Sequence, residues 1–367
     1  MMGLRRIAWL LAVLMVFGGL LAGCGKKDAS SIVKDLDRKM DKLESYQGSG
    51  RMVVHTGVDP QEYQVEVWYK APSYYRISLT NEKKDISQIV LRNDEGVFVL
   101  TPHLNKSFRF QSDWPQNQGQ VYLYQSLVQS IVADRERQFT TDGDTYVFDV
   151  AGNYQNASFA RQKVWLTKKD FAPKHIEVEN ATGQKLLEFD FTAFQFGQTF
   201  DKDSFDMKRN MSSQASPNAQ STLGAADKAA TGKVATDKAA AEKAAADKAA
   251  AGKAAQAFGV IEPTYLPKGV THQGISDIQL GESKGVLLRF SGKYNYTLAE
   301  SKSIDQAVVA MKGTMVDLGY TYALLSGDTH KTMIWTYDGI EYRLTSADLV
   351  LPEMIKIAQS TQGQVGK

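Results

Sequence analysis

From residue 49 to about residue 196, apolar and polar side chains alternate with a period of two, in short segments parted by turn residues. A pleated strand throws successive side chains to opposite faces, so a pattern this sustained commits the stretch to an antiparallel sheet with one buried face. Tyr63, Val65, Val67 and Tyr69 form one apolar row, with Gln64 and Glu66 on the polar side. Tyr75, Ile77 and Leu79 repeat it, as do Phe108 and Phe110, Ile176 and Val178, then Leu187, Phe189 and Phe191. Asn93-Asp94-Glu95-Gly96 reads as a hairpin turn between two apolar segments. The spacing of segments and turns predicts about ten or eleven strands.

Two stretches break the alternation. Residues 31–44 place Ile32 or Val33, Leu36, Met40 and Leu43 at steps of three and four among charged residues, which predicts an amphipathic helix. Residues 120–132 carry Val121, Leu123 or Tyr124, Leu127, Val128, Ile131 and Val132 and predict a second, mostly apolar helix. A long curved sheet needs its concave face covered, and these two helices are the natural cover.

Residues 212–257 differ in kind. A Ser, Gln, Asn and Pro-rich start leads into an alanine-rich run with lysines at 228, 233, 238, 243, 248 and 253. A five-residue step spreads the lysines around every face of a helix and leaves no apolar stripe, so the segment reads as a semi-rigid spacer. Such a spacer argues against a fixed interface between the parts it joins. Residues 258–367 are globular again: alternating segments near residues 285–290, 294–298, 331–337 and 341–346, a helix over 303–318 and a closing helix over 347–359 predict a small α+β domain.

The chain opens with Arg5-Arg6, an apolar run over 7–21 and then Leu21-Ala22-Gly23-Cys24. The run is short and glycine-interrupted for a spanning helix, which takes about 20 apolar residues. Basic start, apolar middle and small residues at the end read as a cleaved export signal over 1–23. Residues 24–30 are then a tether, on the order of 20 Å when extended. Cys24 is the single cysteine, so disulfides and cysteine-rich metal sites are excluded and an exported domain must rely on its core. Lysine plus arginine number 43 and aspartate plus glutamate 41; loss of Arg5 and Arg6 leaves 43 − 2 = 41 against 41. A near-neutral mature chain gives no electrostatic case for a nucleic-acid partner.

Catalytic chemistry finds no foothold in the pattern. His55, His103, His175, His272 and His330 stand apart, and neither a Gly-x-Ser-x-Gly elbow nor a phosphate-binding loop is present. The expectation is no catalytic residue, no metal and no cofactor. The aromatic residues of the strands have two readings. They pack the sheet against its helices, or they line an apolar cavity suited to acyl chains. Under the second reading the lining is Tyr63, Val65, Val67, Tyr69, Tyr75, Ile77, Leu79, Phe108, Phe110, Phe189 and Phe191. Geometry decides between them.

Several local sequences point to a family. Leu21-Ala22-Gly23-Cys24 resembles a lipobox, in which the cysteine thiol is acylated after the signal is cleaved. With the helix ending in Leu43-Glu44-Ser45-Tyr46-Gln47-Gly48-Ser49-Gly50, the strand from Tyr63 through Trp68 to Arg76, and Leu104-Asn105-Lys106-Ser107-Phe108, the first part resembles the LolA-type lipoproteins of endospore-forming Firmicutes. That resemblance implies a mainly β (α+β) fold over 31–211: a LolA-like incomplete β-barrel of about eleven antiparallel strands covered by two helices, followed by a small C-terminal α+β domain. It implies a sporulation-associated, non-enzymatic lipoprotein, lipid-anchored at Cys24 to the extracytoplasmic face of the cell membrane, with a lipid or lipoprotein acyl chain as ligand. Tyr265-Leu266-Pro267 and Trp335-Thr336-Tyr337-Asp338-Gly339 are similar to the small domain of spore-former lipoproteins and anti-sigma-related proteins. The two-domain order resembles the RseB-like regulators, which implies a membrane-protein partner as the alternative.

Overall fold

A computed structural model describes residues 28–56, 59–84, 86–110, 114, 120–154, 156, 158–212, 259–281, 283–302, 309–311 and 313–364. Cys24, the expected export signal and the expected spacer from residue 213 lie outside these residues.

Helix α1 (Ala29–Asp41) starts where Asp28 accepts a hydrogen bond from the Ser31 amide at 2.9 Å, and it buries Ile32 and Leu36. Six strands follow in a meander: β1 (Ser45–Val54), β2 (Gln61–Lys70), β3 (Tyr74–Asn81), β4 (Ile86–Asn93), β5 (Gly96–Thr101) and β6 (Lys106–Phe110). Helix α2 (Tyr124–Ala133) separates them from a second meander of β7 (Gln138–Asp142), β8 (Thr145–Ala151), β9 (Arg161–Thr167), β10 (Pro173–Glu179) and β11 (Lys185–Phe196). The meanders join because β11 pairs antiparallel with β1. These eleven strands and two helices are the arrangement expected from the alternation. A third helix, α3 (Met207–Ser212), was not anticipated. The segment leading into it packs Phe200 and Phe205 on the convex face, around Trp68, Leu91 and Phe98.

The second part forms a seven-stranded antiparallel sheet from β12 (Val270–Leu280), β13 (Ser283–Gly292), β14 (Tyr296–Lys302), β16 (Thr314–Asp317), β17 (Tyr322–Ser326), β18 (Lys331–Tyr337) and β19 (Ile340–Ser346). Helix α4 (Leu351–Gln359) closes it. The helix expected over 303–318 is corrected: its described residues form β16 and the short strand β15 (Val309–Met311). β15 pairs in parallel with β6, making the first sheet twelve-stranded, so the sheet is not purely antiparallel. The free edge of β6 offers unpaired backbone groups that a local helix would leave open.

The expectation of loosely joined parts is also corrected. A single apolar cluster runs from Tyr63, Val99 and Phe110 in the first sheet to Tyr320, Tyr322, Tyr337 and Ile357 in the second part. Composition of the spacer says how far apart its ends can lie, not whether the bodies they carry are sticky; the apolar tips decide that.

Candidate functional site

The concave face is built around two glycines. A β-carbon on Gly50 would lie 2.2 Å from the Asp190 carbonyl oxygen and 2.7 Å from the Phe189 ring; one on Gly48 would meet the Phe194 ring at 2.8 Å. Absent side chains on β1 therefore let the rings of β11 lie flat across it. The register slips between Ser49 and Gly50, where Ser49 faces Ala193 and Gly50 faces Phe191. Thr192 is the extra residue of a bulge, which changes the parity of the strand. Phe189 and Phe191 point inward before it, and Phe194 and Phe196 point inward after it.

The result is a chain of rings across the half-barrel. Centroid separations are 4.3 Å from Phe189 to Phe191, 5.6 Å to Phe194, 5.1 Å to Tyr46, 5.3 Å to Tyr69, 4.9 Å to Tyr75 and 5.8 Å to Trp114. Trp114 then meets Tyr322 of the second part at 6.5 Å. All but the closest, Phe189 to Phe191, fall in the range of about 4.5–7 Å where aromatic pairs attract beyond their buried area. Tyr46 also completes α2: its hydroxyl accepts from the Tyr124 amide at 3.3 Å and donates to Gln125 at 2.8 Å, whereas Leu123 at the helix start offers no side-chain cap. Burial holds the Tyr46 phenol well above its ordinary pKa.

One end of this array is closed. The Tyr122 and Tyr322 hydroxyls cluster with the Gln120 side-chain oxygen, which lies 3.0 Å from Tyr322 and 3.1 Å from Tyr122; one hydroxyl donates to Gln120 and the other donates to its neighbouring hydroxyl. Gln88 accepts from the Thr321 hydroxyl at 3.1 Å and the Tyr322 amide at 3.3 Å. Lys106, itself buried, pairs with Glu341 at 2.5 Å. Among the described residues, cavities of about 20 Å³ lie along this seam, one bordered by Tyr63 and Leu79 and another by Phe108 and Phe110. That is room on the scale of a single water.

The other end is open. A cleft of about 500 Å³ is floored by Phe191, Phe194 and Ala193 of β11 with Ala172 and Pro173, and rimmed by Lys168, Lys169, Lys174, Asp144 and Asp170. Lys39 of α1 lies 3.6 Å above the centre of the neighbouring Phe196 ring. The Thr167 hydroxyl, 2.6 Å from Asp170, holds that carboxyl below its ordinary pKa, and Lys174 does the same for Asp144.

The sequence-predicted lining thus divides. Val65, Val67, Tyr69, Tyr75, Ile77 and Phe189 are packed among neighbours, Tyr63, Leu79, Phe108 and Phe110 edge the small cavities, and Phe191 reaches the cleft. The open chamber expected between sheet and helices is filled by side chains and by the tip of the second part. Phe194, Phe196 and the rim lysines were missed, although the step of three from Phe191 to Phe194 in an otherwise two-step row marks the bulge. Among the described residues, no group of three His, Cys, Asp or Glu side chains could hold a metal ion. His175 instead binds Asp190 at 2.6 Å, on the exposed face of the sheet.

A family profile described as sporulation protein YdcC-like matches residues 4–205. The sporulation protein YdcC of Bacillus subtilis (strain 168) is 39% identical over 362 residues, which covers 98% of this chain and 96% of that protein. Among solved structures, the MucA/MucB complex of Pseudomonas aeruginosa is similar at 14% identity and a TM-score of 0.31, over 90% of this chain and 97% of that one. A putative outer membrane lipoprotein-sorting protein domain from Vibrio parahaemolyticus is similar at 11% identity and a TM-score of 0.31, over 50% of this chain and 99% of that one. Values this low carry neither ligand nor partner across.

Proposed function

The chain belongs to the sporulation protein YdcC-like family, and from that premise we propose that it is a non-enzymatic lipoprotein of the sporulating cell's envelope that binds an acyl chain of a lipid or lipoprotein. Acyl groups on Cys24 hold it at the extracytoplasmic face of the membrane. The observation that carries the binding function is the open cleft of about 500 Å³, where the aromatic array meets solvent at Phe191 and Phe194. Its volume lies in the range of small-ligand sites, roughly 300–1,000 Å³. Half-buried rings joined to a buried ring stack offer an apolar chain a surface to cover without unpacking the core.

Photolabelling with a diazirine-bearing fatty acyl probe tests this reading on the purified full chain. Adducts on β11 and the β9–β10 turn are expected, and competition by unlabelled lipid should remove them. Labelling spread evenly over the surface would contradict it.

A second reading is favoured by the buried polar seam between the two parts: a rigid two-domain scaffold that grips a membrane protein. In-cell crosslinking during sporulation separates the two. A stoichiometric membrane-protein adduct through the second sheet, with no lipid at the cleft, would replace the first reading by the second.

A further inference from the structure

We propose that the cleft at the β9–β10 turn is a site for an anionic glycerophospholipid, with an acyl chain on Phe191 and Phe194 and the phosphate among Lys168, Lys169 and Lys174. The assignment rests on the acyl-binding reading above and adds the headgroup.

The rim is unevenly charged. Three exposed ammonium groups, Lys168, Lys169 and Lys174, face two carboxylates, Asp144 and Asp170. Asp170 is engaged by the Thr167 hydroxyl at 2.6 Å and by the Ala172 amide at 3.2 Å, and Lys39 of α1 adds positive charge on its side of the cleft. Asp144 binds Lys174 at 3.1 Å. Lys168 donates to the neutral carbonyl of Gly143 at 2.8 Å, lies 5.7 Å from the centre of the Tyr146 ring and shares the field of Asp144 with Lys174, so one carboxylate stands against two ammonium groups. Lys169 donates to no acceptor among the described residues. The rim therefore carries a positive surplus beside an apolar floor. Ammonium groups at the ends of flexible stems converge readily on a phosphodiester as point charges. A neutral amphiphile would leave that surplus unanswered, and a free phosphate would leave the rings uncovered.

The anchor places such lipid within reach. Four residues separate Cys24 from the start of α1 at Ala29, five steps along the chain or on the order of 17 Å when extended. The thirteen residues of α1 add about 20 Å before the chain reaches the cleft side of the half-barrel. A bilayer holding Cys24 therefore lies within roughly 40 Å of the rim lysines.

The test uses the full mature chain with Cys24→Ala, so that no covalent lipid competes. It is titrated by calorimetry with monomeric dihexanoyl-phosphatidylglycerol and dihexanoyl-phosphatidylcholine, and with glycerol phosphate as the headgroup alone. Phosphatidylglycerol is expected to bind at least tenfold more tightly than phosphatidylcholine, with a preference that shrinks as salt is raised. The variant Lys168→Glu, Lys169→Glu, Lys174→Glu, altered only at exposed positions, should lose the preference, its phosphatidylglycerol binding falling at least to that of phosphatidylcholine. Equal binding of both lipids by the unaltered rim, or a preference untouched by the triple variant, overturns the headgroup site and leaves the acyl-binding reading intact. Failure of both lipids to bind a folded chain overturns both. Binding of glycerol phosphate as tight as that of the lipid overturns the role of the aromatic floor.

Discussion

The side-chain amide of Gln362 donates to the Tyr63 hydroxyl across 3.2 Å, fastening the C-terminal segment to the second strand of the half-barrel. Thr56 donates to the same glutamine at 3.1 Å, and Gln362 is wholly buried. A buried amide satisfied on both its atoms by the other part of the chain makes the two parts one structural unit.

Gln88→Ala tests that unit. Its carbonyl oxygen answers a hydroxyl and a backbone amide of the second part; without it the Thr321 hydroxyl turns to the Thr336 carbonyl at 3.2 Å, and the Tyr322 amide is left without its acceptor. A cost of about 1–3 kcal/mol is expected. In urea, tryptophan fluorescence and circular dichroism should give one coincident transition, moved to lower denaturant. Two separated transitions in the unaltered chain would show the parts to be independent.

Much of the sheet was legible because period-two alternation has few structural explanations, and the row Tyr63, Val65, Val67, Tyr69 lies on one strand as read. Long-range pairing was not legible. Nothing local in Val309 to Met311 says that the edge of β6 will recruit it, and nothing in the lysine-studded spacer says that Tyr322 will dock beside Trp114. The cleft was half legible: Phe191 followed from alternation, whereas Phe194 needed the bulge at Thr192. Lys168, Lys169 and Lys174 sit in and beside a turn, where lysines ordinarily do no more than face water.

The two glycines of β1 should differ in cost. At Gly50 an added methyl meets a backbone carbonyl at 2.2 Å that cannot rotate away, whereas at Gly48 it meets the edge of the Phe194 ring at 2.8 Å, which can tilt into the cleft. Gly50→Ala is expected to lose about 1–3 kcal/mol or more, and Gly48→Ala less. Thermal unfolding of both variants checks the order, and the reverse order would contradict the packing of β11 over β1.

Glu300 gives the second part a pH dependence. It is fully buried; Oε2 accepts from the Ile261 amide at 3.0 Å, while Oε1 has no hydrogen-bond partner. Burial pushes its carboxyl up from 4.5 to about 7, with the charge of Glu262 adding to the rise. A carboxyl that holds its proton more tightly when folded contributes most stability below about 4.5 and loses that contribution as the pH rises to about 7. The loss is on the order of 3 kcal/mol. Glu300→Gln should flatten the curve over this window and raise stability at pH 8. An unchanged pH profile would contradict the assignment.

If the proposed anchoring holds, Cys24→Ala should release the protein from the membrane, because the proposed lipid is carried by the Cys24 thiol alone. Fractionation of sporulating cells checks it; continued membrane retention of the variant would show that something other than acylation of Cys24 holds the chain.

Native mass spectrometry of the full chain taken from its host membrane in mild detergent measures acyl binding most directly. The unaltered protein should carry a non-covalent adduct of phospholipid mass, beyond any covalent mass from the proposed acylation of Cys24, and Phe191→Asp with Phe194→Asp should remove it while circular dichroism stays native. An unaltered protein free of any such adduct, or an adduct that survives both substitutions, would contradict acyl binding at this cleft.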